Sequence, residues 1–488
     1  MDLADAQAYL DAHIDVEKTT GISAGHVEGL SLDRMRRVVE VLGDPQRDYP
    51  VIHITGTNGK GSTARMVTAL LAAHQLSVGT YGSPHLEHVT ERISRNGEPV
   101  PPEQLAAVVS DIATLEDQGL LPDRPSYFEL LTAAAFAWFS QEAVDVAVVE
   151  VGLLGRYDAT NVADGEVAVI TNVGKDHTDG EGDWRRRVAA EKAGIVKPGS
   201  RLVLGETDPD LRPLFIAETG TGGAAGPPSA PVHVNGPSGN GAGAGDNDPD
   251  GDATGPTAAE GSGGSEGAVW VRDDDFGVMT DRVALGGHVI DLRTPYGEHD
   301  EVFLPAHGAH QSDNAALAVA AVEVFFGRAL HADVVAEAFA GLRLPGRFEV
   351  VHRAPLLVLD GAHNPDGAAA AAATLAEEFA IAGTRRWVLG LLAGRDLDEM
   401  LHAFGVRPGD RVVATTPPTP RGVPAAELAA AVERRGVQAS AADDIDTAVA
   451  TAWRAAQAAG EGDLVMVTGS LYAVGAARTA CRRLGLLT

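Results

Sequence analysis

From Val51 to Ser62 the chain reads VIHITGTNGKGS, and a helical stretch from Thr63 to Leu71 follows directly. A β-branched run breaks into a glycine-rich turn, then a lysine, a glycine and a hydroxyl. This is the strand–loop–helix order that a phosphate-binding loop requires. Glycines let backbone N–H groups converge on a phosphate, and the helix N-terminus adds a favourable dipole. Lys60 can neutralise the outer phosphates, while Ser62 or Thr63 can offer an oxygen to Mg²⁺. The spacing departs by one residue from the usual G-x-x-x-x-G-K-[ST], because Gly61 separates the lysine from the hydroxyl. A glycine turn that merely joins strand to helix would not need lysine and hydroxyl in register.

At 488 residues the chain exceeds what one hydrophobic core usually organises, which predicts two domains. A 44% hydrophobic share is ample for burial, and no stretch reaches the length of a membrane span. The acidic start Met1–Asp5 carries no signal-peptide pattern. A single cysteine, Cys481, excludes an intrachain disulfide and a cysteine-based zinc cluster. The net charge of −30 argues against a nucleic-acid surface, which needs clustered Lys and Arg. It does not argue against ATP, for which a few local cations and Mg²⁺ suffice. A cytoplasmic protein without membrane or nucleic-acid partners, acting as a monomer on small molecules, is the expectation.

The sharpest break in composition runs from Gly220 to Gly267, almost wholly Gly, Ala, Pro, Ser, Asp and Asn. Such a segment cannot bury enough apolar surface to offset its ordering entropy, and reads as a disordered acidic insertion. Before it, strands at Val51–Thr55, Val78–Tyr81, Val144–Val151, Val167–Asn172 and Arg201–Gly205 alternate with helical stretches. That alternation predicts an α/β domain with a mainly parallel sheet. Val269–Val271, Val289–Leu292 and Val302–Leu304 read as a small antiparallel appendage, followed by helices at Asn314–Phe326 and Ala332–Leu342. A second series begins near Leu344, with strands at Leu356–Leu359, Trp387–Leu391, Arg411–Thr415, Val437–Ala439 and Leu464–Thr468. It predicts a Rossmann-like α/β domain over 344–488, set against an ATP-binding domain over 1–343. No G-x-G-x-x-G fingerprint assigns it a dinucleotide.

Polar clusters recur where strands end, the place where open α/β sheets bind ligands. Ser83-Pro84-His85-Leu86 follows one strand, Glu150 ends another, and Asp176-His177 follows a third. Glu191-Lys192 lies on the next helix, and Asp360-Gly361-Ala362-His363-Asn364-Pro365 closes a strand of the second half. Singly, each has a structural reading, since a strand-end Asp or Asn is often a helix cap. Their recurrence beside a phosphate loop favours a site.

Together these stretches resemble the folylpolyglutamate synthase/dihydrofolate synthase family, within the Mur ligase superfamily. The matching segments are TGTNGKGS (55–62), SPHLEHVTERISRNG (83–97), EVGLLGRYDATN (150–161), EKAGIVKPG (191–199), LPGRFE (344–349), DGAHNP (360–365) and TGSLY (468–472). The resemblance implies an ATP-dependent amide ligase of folate biosynthesis. ATP would phosphorylate a carboxylate of dihydropteroate or tetrahydrofolate, and the amine of L-glutamate would displace the phosphate. It further implies that Gly56, Thr57, Asn58, Gly59, Lys60, Gly61 and Ser62 cradle the phosphates, with Asn314, Arg347 and Asp360 contacting ATP. Ser62, Ser83 and Glu150 would ligate Mg²⁺, and His177 a second metal, for which Mn²⁺ can substitute. Lys60, His177 and Lys192 would be catalytic, Lys192 either as the carbamate that family members carry or as an unmodified helix-face cation, with His363 and Ser470 tied to the incoming glutamate.

The sequence departs from the family at Leu154, where a second glycine is usual, at Tyr157, at Lys175 and at Gly180-Glu181. Leu154 predicts backbone angles that a β-carbon permits, and so a local change beside Glu150. Two alternatives remain at this stage: another Mur-type amino-acid ligase, and a P-loop module that binds nucleotide without ligating anything.

Overall fold

The computed structural model describes residues 1–15, 31–121, 124–176, 178, 180–220 and 268–487. His177 and all of the Gly-rich insertion after Gly220 lie outside the described residues. Two α/β sheets account for most of the architecture, and the chain enters the first at Val51.

The strands of the first sheet are β1 (Val51–Thr55), β2 (Val78–Tyr81), β3 (Ile93–Arg95), β4 (Glu98–Pro99), β5 (Val146–Glu150), β6 (Val167–Ile170), β7 (Arg201–Leu204) and β8 (Val269–Val271). Their order is β4-β3-β2-β5-β1-β6-β7-β8, parallel except at the β2/β3 and β3/β4 pairs. β1 sits centrally, with Val51 opposite Ala147 of β5 and Ile52 opposite Val167 of β6. Every residue of β1 and of β5 is buried, as expected of parallel strands covered on both faces. His53, buried inside β1, bonds Thr160 Oγ1 at 3.0 Å, and burial pushes its pKa down to about 3, so it is neutral.

The expectation of an antiparallel appendage at Val269–Val271 is corrected: this strand pairs parallel to β7 and extends the main sheet. The antiparallel unit is instead formed by β9 (Gly277–Ala284), β10 (Gly287–Thr294) and β11 (Gly297–Leu304). β9 escapes a reading by apolar alternation because most of its residues face solvent. Behind this unit the helix Ala309–Phe326 packs on the phosphate-loop helix, Lys60–Ala73, through an almost wholly buried surface.

The second sheet comprises β12 (Glu349–Arg353), β13 (Leu356–Asp360), β14 (Arg385–Leu389), β15 (Arg411–Thr415), β16 (Gln438–Ala442) and β17 (Leu464–Thr468). Its order is β12-β13-β17-β14-β15-β16, parallel apart from the β12 edge. Asp360 and Thr468 are register partners at the carboxyl ends of β13 and β17, so the DGAHNP and TGSLY segments open side by side. Among the described residues, no helix is long and apolar enough to cross a membrane.

Candidate active site

The phosphate loop leaves β1 and is fixed by its neighbours before any ligand arrives. Gly56 takes φ +153, and a Cβ there would lie 1.7 Å from Thr171 Oγ1. Gly59, at φ +84, begins the helix, and its Cβ would lie 2.4 Å from Asn314 Oδ1. Neither position tolerates a side chain, which is why both are glycine. Asn172 holds the loop backbone: its carbonyl accepts from Thr57 N at 3.0 Å and its Oδ1 from Asn58 N at 3.0 Å. Thr171 Oγ1 donates to Asn58 O at 2.6 Å. Lys60 Nζ folds back over the loop, donating to Gly56 O at 3.1 Å and Thr57 O at 3.3 Å. The ammonium is therefore held where phosphate oxygens would lie. Asn314 reaches the same helix end, 3.5 Å from Thr63 Oγ1.

Glu150 ends β5, beside β1, and its carboxylate lies against the loop. A Cβ on Gly61 would sit 3.3 Å from Glu150 Oε2, and one on Gly82 2.9 Å from the same atom. Two small residues thus keep a space around this carboxylate that side chains would fill. Burial raises the Glu150 pKa, while Lys60, Arg347 and the Ser83 N–H favour its charged form. Ser62 is buried and Ser83 half-buried next to it. Ser62, Ser83 and Glu150 offer only hard oxygens, a donor set suited to Mg²⁺ that leaves phosphate oxygens to complete the shell. Among the described residues no group of three His, Cys, Asp or Glu side chains could hold a metal by itself. His177, expected at a second metal, lies outside the described residues.

Lys192 is 4% exposed and, among the described residues, has no carboxylate within ion-pair distance. Burial, reinforced by Lys60, lowers its pKa to about 7 against the opposing pull of Asp176. Asp176, also buried, receives the second half of the chain: Arg395 Nη2 at 2.5 Å, Asn364 Nδ2 at 3.4 Å and His363 Nε2 at 3.5 Å. Asn364 meets the phosphate loop directly, its Nδ2 donating to Asn58 Oδ1 at 2.9 Å. Lys175, one of the departures noted above, forms an ion pair with Glu399 at 2.7 Å, and its backbone N–H donates to Asp366 at 3.0 Å. Both contacts join the two halves.

The remaining expected residues divide. Asp360 spends both oxygens on backbone, accepting from Phe348 N at 2.9 Å and Ala362 N at 3.0 Å. It thereby ties the LPGRFE segment, which carries Arg347, to the end of β13. Arg347 Nη1 would lie 2.7 Å from a Cβ on Gly361. Ser470 is wholly buried and accepts from Ala473 N at 3.1 Å, capping the last helix, Leu471–Arg483.

Residues 54–215 match the Mur ligase middle domain, and residues 346–471 match the Mur ligase glutamate ligase domain. The chain is 38% identical to the dihydrofolate synthase/folylpolyglutamate synthase of Mycobacterium tuberculosis, over 92% of this chain and 89% of that protein. The chain belongs to the folylpolyglutamate synthase/dihydrofolate synthase family. Crystal structures of M. tuberculosis folylpolyglutamate synthase with ADP and AMPPCP superpose at a TM-score of 0.81, with 35% identity and 98% and 97% of the two chains covered. The bifunctional enzyme of Yersinia pestis, complexed with AMPPNP and Mn ion, gives 0.74, with 28% identity and 99% and 98% covered.

In this family member the sequence reading missed an apolar cavity of about 270 Å³ that opens between the two halves. Leu32, Met35, Phe128, Leu153 and Tyr157 line its apolar wall, and Glu191, His363, Arg395 and Arg421 its polar end. No local signal marks it, because its walls come from segments more than 400 residues apart in sequence, Leu32 to Tyr472. Leu154 lines it too, and the expectation drawn from its β-carbon is corrected: Leu154 adopts φ +59, the left-handed angle a glycine would take. Thr55 Oγ1 grips the Leu154 carbonyl at 2.6 Å and the side chain packs into a buried cluster with Val151, Ile170 and Val188. That packing offsets a backbone penalty of about 1–2 kcal/mol.

Proposed function

We propose that this chain is an ATP-dependent amide ligase that adds L-glutamate to dihydropteroate, tetrahydrofolate or both, through an acyl phosphate. Residues 1–343 form its nucleotide-binding unit and 344–488 its glutamate unit in this reading. The supporting observation is the meeting of the phosphate loop with the DGAHNP strand end through Asn58 and Asn364, beside an apolar cavity.

In the first step a carboxylate oxygen of the acceptor attacks the γ-phosphorus and ADP leaves. Gly56 to Ser62 orient the phosphates, with Lys60, Arg347 and Asn314 fixing ATP, and Asp360 holding the Arg347 segment. Phosphoryl transfer needs this positioning and charge neutralisation more than covalent help. In the second step the glutamate amine, having lost a proton, attacks the acyl carbon, and inorganic phosphate departs as the amide forms. His363 borders the glutamate, with Arg395 and Arg421 as cations for its carboxylates, and the buried Ser470 acts by capping the helix that carries Tyr472. Holding the amine and the acyl carbon in contact supplies much of the rate. The apolar cavity accepts the flat pterin.

Mg²⁺, or Mn²⁺ as in the Yersinia enzyme, neutralises phosphate charge when bound, and Ser62, Ser83 and Glu150 would hold it, with His177 at a second ion. Lys192 is the residue we assign a carbamate. An amine with a pKa near 7 is largely neutral at physiological pH, the form that adds CO₂. The product is an anion able to face a metal.

The direct test follows ADP formation with dihydropteroate, tetrahydrofolate and a UDP-linked muramyl acceptor, each with and without glutamate. Glutamate-dependent ADP release with a pterin is expected. Turnover of the muramyl acceptor alone, or nucleotide binding without turnover, contradicts the proposal. The accompanying proposal is a cytoplasmic monomer, since one chain supplies every residue of the site. A light-scattering mass of two or more chains contradicts it.

A further inference from the structure

A second cavity, of about 710 Å³, opens on the other side of Ser83 and Pro84, which line both spaces. It shares Gly61, Ser62 and Glu150 with the site above and runs along one face of the phosphate-loop helix past Arg65, Thr68 and Ala72. Arg65 lies one helical turn beyond Gly61, on the same face. It is exposed to this cavity, and surrounding protein together with Arg347 holds its guanidinium below its usual pKa. It remains a cation, as arginine does in proteins.

Three of the five carboxylates lining the cavity are already engaged, and the other two, Glu98 and Glu337, are exposed side chains. Glu87 is paired with Arg478 and Arg482. Glu91 accepts from the backbone N–H groups of Leu86, Glu87 and His88 at 2.9–3.0 Å. Glu150 faces Lys60 and the proposed metal. Among the described residues, Arg65 and Arg347 make no hydrogen bond or ion pair. Two unpaired guanidinium groups beside the reacting centre call for an anion, and their planar fork matches a carboxylate.

Arg347 is accounted for by the nucleotide, and Arg65 is not. An acceptor that already ends in glutamate carries two carboxylates, the γ group that reacts and an α group that does not. With the pterin in the apolar cavity and the γ-carboxylate beside Ser62 and Ser83, the α group projects into the second cavity. We infer that Arg65 binds this non-reacting α-carboxylate and so favours glutamyl-bearing acceptors, an inference that rests on the ligase reading.

The test measures kcat/KM of the full-length protein with tetrahydrofolate and with its analogue in which 4-aminobutyrate replaces glutamate. The analogue keeps the reacting carboxylate and lacks the α one. The parent protein should prefer tetrahydrofolate by about tenfold or more, chiefly through KM, as expected for one charge-assisted contact. Arg65→Gln should abolish that preference, and Arg65→Lys should restore part of it. A preference that survives Arg65→Gln, a parallel loss with both acceptors, or no preference in the parent overturns the assignment. Glutamate-dependent ADP release with the analogue keeps the ligase reading intact in each of those cases. Absence of ADP release with every acceptor defeats that reading itself, and the assignment with it.

Discussion

Asn58 and Asn364, 306 positions apart, exchange side-chain hydrogen bonds: Asn364 Nδ2 donates to Asn58 Oδ1 at 2.9 Å, and Asn58 Nδ2 to Asn364 Oδ1 at 3.3 Å. One partner sits in the phosphate loop and the other opens a helix of the second half, capping it through Gly367 N at 2.8 Å. A reciprocal amide pair has one geometry, so it sets how the two halves meet at the reacting centre.

Asn364→Asp keeps the capping oxygen but loses the donor to Asn58 and adds charge beside Asp176. The expected outcome is a fall in kcat of about tenfold or more, since small misplacements at a reacting centre cost that much. Steady-state kinetics alongside a melting curve check it; unchanged kcat would mean that the pair does not set the alignment.

Lys60→Ala should abolish turnover in a folded protein. The ammonium lies over Gly56 and Thr57, and removal of one such charge costs several kcal/mol of transition-state stabilisation, typically about 3. ADP formation at the parental rate in a protein with native circular dichroism would remove Lys60 from the phosphate site.

Much of this was legible because it is local. The phosphate loop announces itself in twelve consecutive letters, and the expected bounds of β1, β2 and β15 coincide with those observed. Elements held by tertiary pairing were harder. β12 is an edge strand of mostly half-buried residues, and β8 reads as an appendage because the insertion hides its partner, β7. The cavity between the halves was not legible at all, since Phe128 and Tyr472 line one space only once both halves are packed. Leu154 shows the limit from the other side: a glycine-like backbone persists where the sequence has a leucine.

Lys192→Ala should lose activity, and acetate in the assay should restore part of it if the native group is a carbamate. The missing element is then an anionic oxygen that a diffusible carboxylate can imitate. Rescue by methylamine and not by acetate would identify Lys192 as an ordinary cation.

At the far end of the Asn364-capped helix, Glu378 accepts from Gly308 N at 2.6 Å and pairs with His288 at 3.0 Å and His307 at 2.6 Å. The Glu378 bond, against burial and with help from Asp281, raises the His288 pKa to about 9. Burial pushes Glu378 up, but its two histidine bonds outweigh this and bring it to about 2. The His288 contribution is complete below its unfolded pKa and is lost as pH rises through about 9. The Glu378 contribution is complete above its unfolded pKa and is lost as pH falls through about 2. Denaturant unfolding at pH 6 should find Glu378→Gln destabilised by about 3 kcal/mol, with a smaller loss than the parent on going to pH 9.5. Equal pH dependence in parent and variant would remove this cluster from the stability balance.

The acyl phosphate is tested most directly by oxygen transfer. Dihydropteroate labelled with ¹⁸O in its carboxylate is turned over with ATP and glutamate, and the released phosphate is analysed by mass spectrometry. One carboxylate oxygen attacks phosphorus and leaves with it, so each phosphate formed should carry one ¹⁸O. Amide product accompanied by unlabelled phosphate would contradict the account.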